Sequence, residues 1–187
     1  MPGTLGRVMN ILGHHIDDEI ELSIVAPRDG IYLFDLIDGS RERLGKWLGF
    51  VSNTLSVSDV EAFIAEKRKA FALGQSYTFA ISYLGKVAGV ISIEVEKVQN
   101  AGEIGYWLGA NFEGKGIVSR SVEALTQFGF EELLLRRLVI NVATENQRSI
   151  NVALGAGYQL EGIARSGAKV GEDYYDAKVF SRLSTDQ

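Results

Sequence analysis

The chain has 187 residues, 46% of them hydrophobic, which is the size and apolar content of one ordinary domain with a proper core. It contains no cysteine, which excludes disulfides, thiolate metal sites and a cysteine nucleophile, and which suits a reducing compartment. A formal net charge of -5 argues against a general nucleic-acid-binding face and for basic partners, while leaving open an anion held by backbone N–H groups.

The stretch before residue 20 carries His14, His15, Asp17, Asp18 and Glu19, so no apolar signal core can be drawn there. No apolar run approaches the ~20 residues that span a bilayer. The expectation is a soluble, cytoplasmic protein with no membrane partner. One domain over residues 1–187 is expected, with residues 1–18 flexible or peripheral. The adjacent histidines read as a solvated segment rather than a metal site, and no metal is expected.

In chain order, Glu19–Ala26 alternates apolar and polar residues and predicts a half-buried strand ended by Pro27. From Arg28 to Leu48 the spacing of Ile31, Phe34, Ile37, Leu44 and Leu48 predicts helix, split at Gly39-Ser40. A second helix is predicted from a capping box at Ser58-Asp59-Val60-Glu61, running to Gly74. Tyr77–Tyr83 and Lys86–Val95 predict a hairpin turning at Leu84-Gly85, and Gly102–Leu108 a third strand after Gln99-Asn100. A helix should open at Gly114-Lys115-Gly116 and run to Leu134, followed by a strand over Arg137–Thr144 and a short helix over Gln147–Ala156. Two strands, Tyr158–Arg165 and Tyr174–Leu183, close the chain. Antiparallel neighbours on both sides of one strand-helix-strand unit imply an α/β (α+β) fold built on a mixed, mostly antiparallel sheet. About seven strands and about four flanking helices are expected. The charge clusters Arg41-Glu42-Arg43 and Glu66-Lys67-Arg68-Lys69 read as solvated helix faces.

Gly114-Lys115-Gly116 lies between a strand and a helix. Glycine lets successive N–H groups turn toward one point, and the helix start adds partial positive charge, so the loop is suited to a pyrophosphate. A tight turn without a ligand is the plain alternative. Gly109–Gly116 also nearly spells a nucleotide P-loop, but Gly116 has no hydroxyl for magnesium and no Walker-B aspartate follows. Ser149 has two readings, a proton donor or a cap of the short helix. Glu103 has two as well, a base acting through water or a solvated strand carboxylate. Tyr106 and Trp107 point to opposite faces of their strand, so one packs in the core and the other is free to line an acceptor site. Trp47 would wall the same pocket or merely cover the sheet.

The segment Asn146-Gln147-Arg148-Ser149, with Ala153, Gly157 and Tyr158 beyond it, completes a pattern with the glycine loop. Together they resemble the GNAT acetyltransferases. Ile104-Gly105-Tyr106-Trp107-Leu108, Glu161-Gly162 with Arg165, and Tyr174-Tyr175-Asp176 are similar to the RimJ/RimL-like branch. The resemblance implies the GNAT fold, with central strands splayed to admit a pantetheine arm. It implies acetyl-CoA as donor and a primary amine as acceptor, either a small molecule or a protein N-terminus, attacked directly in a ternary complex. By the same resemblance Gly114, Lys115 and Gly116 bind the pyrophosphate, Asn111 stands at the first loop position, and Asn146 meets the pantetheine. A backbone N–H near Leu108 polarises the thioester, and Ser149 serves as the acid. A homodimer is a further implication. Asn111 replaces the usual glutamine or arginine, Ala153 stands where many such enzymes place an acidic tyrosine, and Ala168 fills the position of a glutamate base. Those absences keep a non-catalytic acyl-CoA-binding domain as the alternative.

Overall fold

The computed structural model describes residues 14–186. Its sheet has eight strands: β1 His14–His15, β2 Ile20–Ile24, β3 Ser76–Tyr83, β4 Lys86–Glu96, β5 Ala101–Leu108, β6 Arg137–Ala143, β7 Gln159–Val170 and β8 Asp173–Leu183. They lie in the order β1-β2-β3-β4-β5-β6-β8-β7, and every pairing is antiparallel except β5 with β6. Among the described residues five α-helices accompany it: α1 Gly30–Asp38, α2 Arg41–Gly45, α3 Val57–Ala72, α4 Ile117–Glu131 and α5 Gln147–Gly155. The additional strand is the histidine pair. His14 and His15 form a short edge strand opposite Leu22 and Glu21, with His15 exposed. The expectation for residues 1–13 lies outside the described residues.

Both faces of the central strands are covered, which is why β3 and β4 read as nearly continuous apolar runs. Phe79, Ile81, Ile91, Ile93 and Ile104 pack with Val122, Leu125 and Phe128 of α4 on one face. Ala80 and Val90 pack on the other with Leu33 and Ile37 of α1 and Val60 and Ile64 of α3. Phe128 meets Tyr77 and Phe79 edge-on at centroid distances of 5.5 and 5.8 Å, which seats α4 against the sheet.

Local chemistry sets the boundaries. The β3–β4 hairpin turns through Leu84 (φ 49°) and Gly85 (φ 75°), two left-handed residues whose twist matches the flanking strands. The start of α3 differs from the sequence expectation. Ser56 is the N-cap, and the Asp59 carboxylate accepts from the Leu55 N–H, the Ser56 N–H and the Ser56 hydroxyl at 2.9, 2.8 and 2.9 Å. Ser58 therefore lies inside the first turn, because the aspartate reaches back to cap before Glu61 can. The short helix α2 also departs from a solvated face. Arg41 donates to the carbonyls of Val51 and Thr54 at 3.0 and 2.7 Å and so ties down the Gly49–Ser52 turn.

The feature that positions the site is the junction of β5 and β6. They pair only at Ala101–Glu103 with Arg137–Val139. Beyond that, β5 follows β4 as far as Leu108 and β6 follows β8 as far as Ala143. A wedge opens between them, closed at Gly102 and open at Leu108. Among the described residues, no helix is long and apolar enough to cross a membrane.

Candidate active site

β5 supplies three elements to the wedge. The Gly109 N–H donates to the Ala88 carbonyl at 2.8 Å. Because antiparallel ladders alternate, the N–H of Leu108 then points away from β4, toward the gap. Gly89 permits this close approach: a Cβ there would stand 2.1 Å from the Trp107 carbonyl. Tyr106 and Trp107 take opposite faces, as expected. Trp107 packs with the α1–α3 side, its ring centroid 6.2 Å from that of Phe50. Tyr106 packs with the α4 side and hydrogen-bonds Ser149, so it faces away from Trp107 and does not share an acceptor wall with it. Burial pushes its phenol up to about 12, with the Ser149 hydrogen bond acting in the opposite sense.

After a tight turn at Ala110–Phe112, Gly114 and Gly116 adopt φ of +72° and +70°, which L side chains rarely do. Gly116 is the N-cap of α4, so the first amides of that helix have no intrahelical acceptor. A Cβ added at either glycine would meet nothing within 4 Å among the described residues, which leaves room above the loop. These observations fit a diphosphate held by main-chain donors. Lys115 turns elsewhere: its Nζ lies 5.2 Å from the Tyr83 ring centroid and 5.7 Å from that of Phe112. Asn111 is exposed within the preceding turn.

β6 leads into the second half. Asn146 is the N-cap of α5, its side-chain oxygen accepting from the Ser149 N–H at 3.3 Å. The capping role thus belongs to Asn146, and the Ser149 hydroxyl is committed instead to the Tyr106 hydroxyl at 2.7 Å. Ala153 is fully buried on the inner face of α5. Glu103 is exposed on the Trp107 face of β5, between Glu94 of β4 and Val139 of β6, where the wedge is still closed. Ala168 stands opposite Tyr175 in the β7–β8 hairpin. Trp47 is half-buried just beyond α2, and the following turn touches the hairpin tip, where a Cβ on Gly49 would lie 3.1 Å from the Gly171 nitrogen.

Three charged residues that the sequence reading left as surface or passed over join these halves. Glu113, just before the glycine loop, pairs with Arg43 of α2 through one carboxylate oxygen and with Arg148 of α5 through the other. Arg43 also donates to the Leu108 carbonyl at 2.6 Å, and its Nε is buried with no hydrogen-bond partner among the described residues. The signal was faint: an arginine in a charged run betrays its buried contact only when the elements beneath it are known.

The glycine loop and the Asn146 turn therefore open on the same wedge, linked by the Glu113–Arg148 pair. Residues 24–159 match the family described as Acetyltransferase (GNAT) domain. The chain belongs to that family.

Similarity to individual proteins agrees. The chain is 34% identical to the Bacillus subtilis (strain 168) protein YdaF over 90% of its own length and 93% of that relative. It is 28% identical to the ribosomal-protein-serine acetyltransferase of Escherichia coli (strain K12), over 92% and 97%. Among solved structures, the microcin C7 self-immunity acetyltransferase MccE, in complex with acetyl-CoA and AMP, superposes with a TM-score of 0.89 at 29% identity, covering 94% of this chain and 98% of that one. RimL, a ribosomal L7/L12 N-acetyltransferase in complex with coenzyme A, gives 0.88 at 26%, covering 93% and 99%. This GNAT chain is an acetyl-CoA-dependent N-acetyltransferase, a RimJ/RimL-like enzyme in fold and sequence. Among the described residues no group of three or more histidine, aspartate or glutamate side chains is arranged to hold a metal ion.

Proposed function

We propose that the enzyme acetylates the α-amine of a protein N-terminus, with Ser149 as proton donor. The observation that carries the reading is the shared opening: the left-handed glycine loop, the Leu108 N–H and the Ser149 hydroxyl all border one wedge. Acetyl-CoA, when bound, supplies an activated acyl group on a sulfur leaving group. The amides at Gly114, Lys115 and Gly116 hold its diphosphate, and Asn146 orders the turn beside its arm. The N–H of Leu108 donates to the oxygen on which charge develops. Ser149 gives its hydroxyl proton to the departing sulfur.

Glu103 lies on the Trp107 face at the closed end of the wedge, five residues or about 17 Å along β5 from Leu108, so the incoming ammonium gives its proton to solvent rather than to Glu103. Trp107 and Trp47 line the approach of the acceptor, on the side away from Tyr106. A protein acceptor is supported by the relative named for ribosomal-protein serine acetylation, and a cationic acceptor by the net charge of -5. A cytoplasmic setting and a homodimer belong to the same reading. The exposed Leu160 and Ile163 on edge strand β7 offer a surface for a second copy.

The test offers acetyl-CoA with N-terminal peptides, polyamines and aminoglycosides while following thiol release. Peptides should be preferred, and exclusive turnover of a small amine would overturn the protein acceptor. Acetyl-CoA at 100 times its dissociation constant should add about 2.7 kcal/mol of stability.

A further inference from the structure

Ser149 is an unpromising acid by itself, since a serine hydroxyl gives up its proton far less readily than a thiol does. What distinguishes it here is its partner. Tyr106 reaches from β5 to the first turn of α5, and its hydroxyl lies 2.7 Å from Ser149 Oγ and 3.3 Å from the Ser149 carbonyl oxygen. A buried phenol must donate its proton somewhere, and among the described residues these two oxygens are its only acceptors. Ser149 Oγ is the nearer of the two. If the phenol donates there, the serine's own hydrogen is turned off Tyr106. Asn146 fixes the same residue from the other side, accepting from its N–H. Burial keeps the phenol protonated up to about 12, so it remains a donor throughout the working range and does not itself titrate.

We propose that Tyr106 is a positioning residue for proton transfer: its hydroxyl donates to Ser149 Oγ, which directs the Ser149 proton into the wedge and makes it more acidic. The inference rests on Ser149 being the acid. In the step served, the C–S bond breaks with its electron pair on sulfur, the Ser149 O–H proton forms the S–H bond, and the Tyr106 hydrogen bond steadies the charge left on Oγ. Solvent restores the serine proton once the products leave. Tyr106 stays protonated throughout. The opposite polarity, Ser149 donating to Tyr106 and Tyr106 to the carbonyl, would make the phenol an obstacle to the same step.

The experiment is a double-mutant cycle on the whole chain, with Tyr106→Phe, Ser149→Ala and the pair. Acetyl-CoA and the amine preferred in the acceptor panel serve as substrates, turnover is followed by thiol release, and acetyl-CoA binding is measured by calorimetry. Tyr106→Phe should lower kcat about tenfold, the equivalent of one lost hydrogen bond, while the acetyl-CoA dissociation constant changes less than twofold. In the Ser149→Ala background the tyrosine substitution should cost nothing further. Equal losses in both backgrounds would overturn the inference, because Tyr106 would then act apart from Ser149. So would unchanged or faster turnover in Tyr106→Phe, or a loss of coenzyme binding that matches the loss of turnover. Unchanged turnover in Ser149→Ala would instead remove the serine's role as acid, and the inference with it.

Discussion

The two ends of the β5–β6 junction are built by opposite rules. At the closed end, Gly102 is buried with no space for a methyl group, since a Cβ would lie 2.7 Å from Ile93 and 3.0 Å from Leu135. At the open end the strands no longer touch, and side chains span the distance: Tyr106 to Ser149, and Glu113 to Arg148. Dispersion contacts cannot be exchanged for a ligand without loss of the fold, whereas hydrogen bonds and ion pairs can be traded for new ones at little net cost. Stability should therefore reside at one end and function at the other.

The largest expected effect lies at the closed end. Gly102→Val overfills that space and should lower stability by about 3 kcal/mol, read by urea denaturation. A folded, fully stable variant that had lost only coenzyme affinity would break the division. Gly116→Ala tests the other side. Its left-handed φ costs an L residue roughly 1–2 kcal/mol, with open space above. About tenfold weaker acetyl-CoA binding is expected by calorimetry, with a melting shift of a few degrees only. Asn146→Ala sharpens the comparison, since that residue serves both ends of the argument. Loss of the cap should cost about 1 kcal/mol in thermal melts, and turnover should fall further than stability as Ser149 loses its tether.

The smallest effect concerns pH. At the closed end, Arg137 and the Ser181 hydroxyl hold the Glu161 carboxyl down to about 2 from its usual 4.5. A depressed carboxyl adds stability that is complete above its unfolded value and disappears as pH falls through the folded one. Stability should thus decline between about 4.5 and about 2, and Glu161→Gln should flatten that slope in acid denaturation. The pair is half-exposed, so the change should be slight.

Most of the fold was legible because its signals are local. Alternation marked the strands, Leu84-Gly85 marked the hairpin, and Gly114-Lys115-Gly116 marked the start of α4. The wedge itself was not readable from the spacing of residues, and only the family resemblance implied it, since nothing in the order of apolar residues says where two strands stop pairing. The cap of α3 was displaced because Ser56 and Ser58 both precede an acid at suitable spacing, and the two differ only in backbone geometry. Arg43 and Glu113 were missed for a deeper reason. Their partners lie 70 positions apart in the chain, and ion pairs at that separation leave no periodic trace. Tyr106 was recognised as a residue with one of two destinations, and the choice between them depended on the register of β5.

β5 and β6 run parallel. Two strands that run the same way cannot be joined by a tight turn, so the chain must cross back over the sheet before β6 begins. That return journey is α4, and it has to set out from the edge where β5 finishes. β6 finishes at the same edge, so α5 must set out there too. The amino ends of both helices, with their partial positive charge, consequently face a single crevice. An anion-seeking pair of termini is thus the geometric by-product of one reversed strand direction, available before any side chain is chosen.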